Sequence, residues 1–248
     1  MKKLTLTFLA LCLLSIASQA QTYDFLGSEL KRMTINRNIQ IDPMSLDAYL
    51  HTGEKVSKGE IMNYLMMVEY QAAIYSDSKN DPKAIIFEKA SEEAKAMKIK
   101  RFENMTGSDF MLNQQANNFE LQNLVGNSIN LESLKGEVVL LNFWFVGCKP
   151  CIMEMPELNE LVEEFKPKGV KFLAIGLDNV ARVNKFLETH EFNYELLPNG
   201  RRVATDYGIF SYPTHLLINE EGKVIFSQVG YFPGLKYALR KQLKDALK

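Results

Sequence analysis

The run Val138-Val-Leu-Leu-Asn-Phe-Trp-Phe145 is the tightest constraint on how this chain can fold. It is rich in β-formers and apolar on both of its alternating faces, which is the pattern of a central strand covered on either side. Cys148-Lys-Pro-Cys151 follows almost at once, and a helical pattern runs from Lys149 to Phe165. A strand that delivers two cysteines to the first turn of a helix places a thiol where free backbone amides and the positive end of the dipole favour an anion. The Lys149 ammonium acts in the same sense, and the thiolate is the reacting species. Cys151 lies one turn deeper on the same face and can attack a mixed disulfide formed at Cys148. Pro150 stiffens that turn without removing a needed amide.

The remaining elements support such a strand. Phe119–Leu121 and Ser128–Leu131 read as a short hairpin, followed by a turn over Leu131–Leu134. Val170–Leu177 is a second apolar strand, with helices expected over Val180–Glu191 and Arg201–Tyr207. His215–Ile218 and Lys223–Gln228 form a hairpin across Asn219-Glu-Glu-Gly222, and Leu235–Leu247 closes the chain as an amphipathic helix. The fold class is α/β, a mixed central sheet with helices on both faces, spanning residues 108–248.

Residues 21–107 read as a small α+β domain without a recognisable motif. A half-exposed strand is expected over Met33–Ile41, and a helix begins near Ile61 behind Ser57-Lys-Gly-Glu60. Two short strands follow at Ala73–Tyr75 and Ala84–Phe87, and then a charged helix opens at Ser91. Met62, Met66 and Met67 fall at helical spacing and read as core filler, not metal ligands. His51 reads as a solvated turn residue.

Residues 1–20 read as a secretory signal peptide: Met1-Lys2-Lys3, an apolar stretch from Leu4 to Ile16, and Ser18-Gln19-Ala20 as the cleavage signal. The stretch is short for a membrane span, and none is expected after cleavage. Lipid attachment at Cys12 is disfavoured, because Leu11 stands where a small residue is needed. Cleavage leaves two of the 3 cysteines, in a chain bound for an oxidising compartment. A bridge over so short a loop adds little stability, so the spacing points to chemistry. A zinc site needs two further ligands, and only His51, His190 and His215 are present, scattered singly. The net charge of −1 argues against a nucleic-acid partner. No metal and no organic cofactor is implied.

Downstream, Ser211-Tyr212-Pro213-Thr214 precedes a strand, where an X-Pro bond is a candidate cis peptide. Phe119-Glu-Leu, Leu131-Glu-Ser-Leu-Lys-Gly136, Cys148-Lys-Pro-Cys151, Glu154-Met-Pro156, Tyr207-Gly-Ile-Phe-Ser-Tyr-Pro-Thr214 and Gly222-Lys-Val occur in order from about Ala116 to the end. With the central strand, they make this region similar to the thioredoxin superfamily, specifically the TlpA/ResA-like thiol-disulfide oxidoreductases of bacterial envelopes. The resemblance implies a thioredoxin-like fold, with Cys148 the exposed nucleophile and Cys151 the resolving thiol. Pro213 would be the cis-proline packed opposite the pair, with the Tyr212 backbone offered to a bound peptide. It makes Pro156 the kink proline of the helix and Glu154 an acidic group near the pair. It implies protein thiols and disulfides as substrates, a periplasmic location, the reducing direction and a membrane-linked electron donor.

Two positions depart from the family. Gly147 stands where tryptophan is frequent, and Asn142 stands where cytosolic thioredoxins carry a buried aspartate. Three other readings compete. A peroxiredoxin-type thiol peroxidase needs Pro-x-x-x-Thr/Ser-x-x-Cys, but Leu141 and Trp144 occupy the two proline positions. A copper-binding module needs a matched histidine, for which His215 is a poor candidate. An interaction protein would act through residues 21–107.

Overall fold

A computed structural model describes residues 23–33 and 41–248. The proposed leader and most of the Met33–Ile41 strand lie outside them. The strands are β1 (Lys31–Arg32), β2 (Asp47–Leu50), β3 (Lys55–Val56), β4 (Tyr70–Ser76), β5 (Pro82–Lys89), β6 (Glu120–Gln122), β7 (Ser128–Asn130), β8 (Val139–Trp144), β9 (Lys171–Gly176), β10 (Glu195–Leu197), β11 (Thr214–Ile218) and β12 (Val224–Val229). The helices are α1 (Ile61–Met66), α2 (Glu92–Glu103), α3 (Lys149–Phe165), α4 (Val180–Leu187), α5 (Arg201–Asp206) and α6 (Leu235–Ala246).

The chain divides into two compact units, one holding the described residues up to Lys58 with Ala72–Glu88, the other Gly59–Gln71 with Lys89–Lys248. In the first, a five-stranded sheet has the order β1-β4-β5-β2-β3. Asp77 folds the turn between β4 and β5, its carboxylate accepting from the amides of Lys79 and Asp81. Arg32 and Glu88 form a two-pronged ion pair at 3.0 and 3.1 Å.

The second unit is built on the sheet β10-β9-β8-β11-β12. β8, β9 and β10 run parallel, while β11 is antiparallel to both β8 and β12. The alternation in β8 sends Leu140 and Trp144 to one face, against α3, α4 and α6, and Val139, Leu141 and Phe143 to the other, against α5. Each such side chain, removed from water, contributes roughly 1.5–3 kcal/mol. β10 and the end of α4 differ from the sequence reading. β10 has only 3 residues and is too short to show a period, and α4 stops at Leu187.

α1 and α2 fall in the second unit. Lys98 of α2 donates to the carbonyls of Leu65, Met67 and Tyr70 at 2.9, 2.8 and 2.7 Å, tying the end of α1 to α2. Phe102 of α2 packs against Phe232 and, nearly parallel, against Tyr237 of α6. Met62 is 53% exposed and so is not core filler; in a helix of one and a half turns, Ile61 takes the buried face.

Two substitutions test these local constraints. A Cβ at Gly107 would lie 2.2 Å from the Ser227 carbonyl oxygen, at a φ of +74°. Gly107→Ala is therefore expected to lower unfolding stability by about 1–3 kcal/mol, read as a fall in the urea midpoint. Lys98→Met leaves three carbonyls without their donor and is expected to cost about 1–3 kcal/mol in the same assay.

Candidate active site

The site forms where β8 ends. Leu177 N–H donates to the Trp144 carbonyl at 3.1 Å, and the Asp178 carboxylate accepts from the Val146 amide at 2.6 Å. Asp178 is itself paired with Arg182 at 3.2 Å. This clamp fixes the loop before the cysteines, and the sequence reading did not find it. The only local signal is an acid directly after an apolar strand. Gly147 completes the loop at a φ of +90°, a conformation that a side chain such as tryptophan resists.

Cys148 is the N-cap of α3, its sulfur accepting from the Cys151 amide at 3.3 Å. The two cysteines are joined in a disulfide, with their Cα atoms 5.3 Å apart. Cys148 is 4% exposed and Cys151 1%, against the exposed position expected of Cys148. Both pack into the cluster that contains Trp144, with Phe145, Val146 and Tyr212 at its margin. Lys149 and Pro150 occupy the first turn and are exposed.

Sheet register brings the distant proline to this end of the fold. Thr214 opens β11 opposite Phe143 near the end of β8, so Tyr212 and Pro213 lie at the same edge as the loop leading to Cys148. The Tyr212–Pro213 bond is cis. The Tyr212 ring meets Phe145 edge-on, with centroids 5.4 Å apart, and the Gly230 amide donates to the Pro213 carbonyl at 2.8 Å. Pro156 lies inside α3.

Glu154 is 1% exposed, on the same side of α3 as Cys151. Asn142 Nδ2 donates to its Oε1 at 3.1 Å, and His215 Nε2 lies 3.1 Å from its Oε2. Asn142 and His215 are direct register partners across β8 and β11 and are 1% and 0% exposed. The polar cluster was only partly visible beforehand. Asn142 read as the loss of a buried acid, and His215 read only as a poor copper ligand. The signal that could have found it is period-two alternation, which puts Asn142 on the face of β8 that carries Leu140 and Trp144. A buried carboxyl needs such donors.

The chain's relatives fall on this unit. The AhpC/TSA family matches residues 112–227. The thiol-disulfide oxidoreductase ResA of Bacillus anthracis is 36% identical over 121 residues, covering 48% of this chain and 70% of that protein. The thioredoxin-like protein YneN of Bacillus subtilis is 34% identical over 121 residues, covering 47% of this chain and 71% of the relative. Among solved structures, the thiol:disulfide interchange protein DsbE from Chlorobium tepidum superposes with a TM-score of 0.51 at 32% identity, covering 54% of this chain and 96% of that one. A mixed sheet with a thioredoxin-like neighbour and relatives of this similarity agree on one assignment. The chain belongs to the thioredoxin-like thiol-disulfide oxidoreductases of the ResA type.

Proposed function

We propose that Cys148 and Cys151 carry this enzyme's thiol-disulfide exchange, in the reducing direction, on protein substrates outside the cytoplasm. The observation that supports it most directly is the disulfide between the N-cap and the first turn of α3. In the dithiol form, the Cys148 thiolate attacks one sulfur of a substrate disulfide, and the other substrate sulfur leaves as a thiolate. Cys151 then attacks Cys148 Sγ, and the bond from Cys148 to the substrate breaks. Two electrons pass to the substrate, and the enzyme is left as the disulfide. Thiolate stabilisation by the amides of the helix start favours the first attack.

The supporting residues have distinct roles in this reading. Lys149 raises the local positive potential, and Pro150 keeps the first turn stiff. Tyr212 and Pro213 offer backbone at the sheet edge to an extended peptide, and Glu154 receives protons behind Cys151. A membrane-linked electron donor restores the dithiol, and the leader over residues 1–20 takes the chain to the periplasm. A peroxide-consuming reading is opposed by Leu141 and Trp144, which stand where its motif needs proline. A copper site is opposed by His215, whose Nε2 is engaged by Glu154.

Insulin reduction with dithiothreitol tests the pair. Cys148→Ser is expected to fall to the uncatalysed rate, and full activity in that variant would remove the mechanism. Cys151→Ser is expected to accumulate mixed disulfides with substrate proteins, visible on non-reducing gels. Direction is read from the alkylation state of the pair in cells. A pair held as dithiol at steady state is expected, and one held as disulfide would reverse the assignment.

A further inference from the structure

The fold places a histidine where the exchange reaction has no stated use for one. His215 is fully buried, in the middle of the sheet, and faces α3. Its Nε2 lies 3.1 Å from Glu154 Oε2, and Asn142 Nδ2 lies 3.4 and 3.5 Å from its Nδ1 and Nε2. Asn142 Nδ2 also donates to Glu154 Oε1, so the three side chains close a ring of hydrogen bonds. Apolar residues of similar volume in these places would hold the sheet to the helix at least as well. Stability alone does not account for the cluster.

We propose that His215 is a positioning residue for thiol exchange: by hydrogen-bonding Glu154 it holds that carboxyl, one helical turn from Cys151, as the acceptor of the Cys151 proton. This rests on the assignment of Cys151 as the resolving thiol. In the resolving step Cys151 Sγ forms a bond to Cys148 Sγ, and the bond from Cys148 to the substrate sulfur breaks. The electron pair leaves on the substrate sulfur, and the Cys151 proton passes to Glu154. The Nε2···Oε2 bond needs one hydrogen between its two atoms. With that hydrogen on Nε2, Oε2 is left as an acceptor.

The other titratable groups in the field of Glu154 are Glu157, Tyr194 and Tyr231. Glu157, on the next turn of α3, is pushed up, first by burial, then down by Lys236 and up by Glu160, Glu69 and Glu154. Tyr194 is raised well above its usual value by burial and then by Glu154. Tyr231 is pushed up to about 12 by burial, then by Glu157, Glu154 and Glu69. Both phenols therefore stay protonated at neutral pH. Of these groups, the imidazole is the one hydrogen-bonded to the Glu154 carboxyl.

The test uses the reduced full-length protein and 5,5′-dithiobis(2-nitrobenzoate), which reports the two thiols separately. The first phase of thionitrobenzoate release follows attack by Cys148, and the second follows resolution by Cys151. His215→Leu and Glu154→Gln are each expected to slow the second phase by about tenfold, a part of what general acid–base help is worth. Both are expected to displace the pH profile of that phase. The first phase should change far less. His215→Gln, which keeps an N–H directed at Oε2, is expected to recover most of the rate. The double variant should be no slower than Glu154→Gln alone.

A second phase in His215→Leu that superimposes on wild type overturns the proposal, and so do losses at 154 and 215 that multiply. If the leucine variant fails to fold, the wild type still decides. Its infrared difference spectrum between disulfide and dithiol forms should contain a carboxyl band that Glu154→Gln removes and His215→Gln moves. A spectrum without that band overturns the proposal. Failure of the Cys151 assignment looks different, since a Cys151→Ser protein would then keep the second phase.

Discussion

The antiparallel pairing of β11 with β8 is the contact on which the site depends. It sets Thr214 opposite Phe143 and His215 opposite Asn142. The first pairing fixes Tyr212 and Pro213 at the sheet edge where β8 runs into the cysteine loop. The second puts two polar side chains on the face that α3 covers, under Glu154. A slip of β11 by one residue would turn His215 to the opposite face and take its hydrogen bond from the buried Glu154. Apolar neighbours on both faces make that slip costly, and the site inherits its precision from the core.

The same economy applies to the junction before the helix. A strand buried on both faces cannot turn into a helix without leaving amides unpaired. Here Asp178 takes the Val146 amide, and Cys148 takes the Cys151 amide. One of those acceptors is a reactive sulfur. The helix cap and the redox centre are therefore the same atom, and the conformation of Gly147 is what lets the chain arrive there.

Part of the segment before the family match falls in the unit that carries the disulfide. Lys98 binds three carbonyls at the end of α1 and beyond it, and Phe102 lies against Gly234 and the ring of Tyr237. These contacts make α1 and α2 part of the unit that carries the disulfide. Nothing in the local pattern of residues 59–103 announced this, because helix α2 has a mostly polar sequence. Lys98 and Phe102 contribute to its attachment, and no apolar stripe marks it in the sequence.

Local physics made much of the protein legible in the sequence. The strand from Val138, the helix from Lys149 to Phe165, the hairpin across Asn219–Gly222 and the final helix follow from period and turn chemistry, which act between neighbours in the chain. The cysteine pair was legible for the same reason, since one turn of helix sets its spacing. What only the tertiary structure decided lies between residues far apart: the meeting of Asn142, Glu154 and His215, the Asp178 clamp, the burial of Cys148 and the membership of α2. Each depends on register or on a single long-range bond, and such contacts leave no periodic trace along the chain.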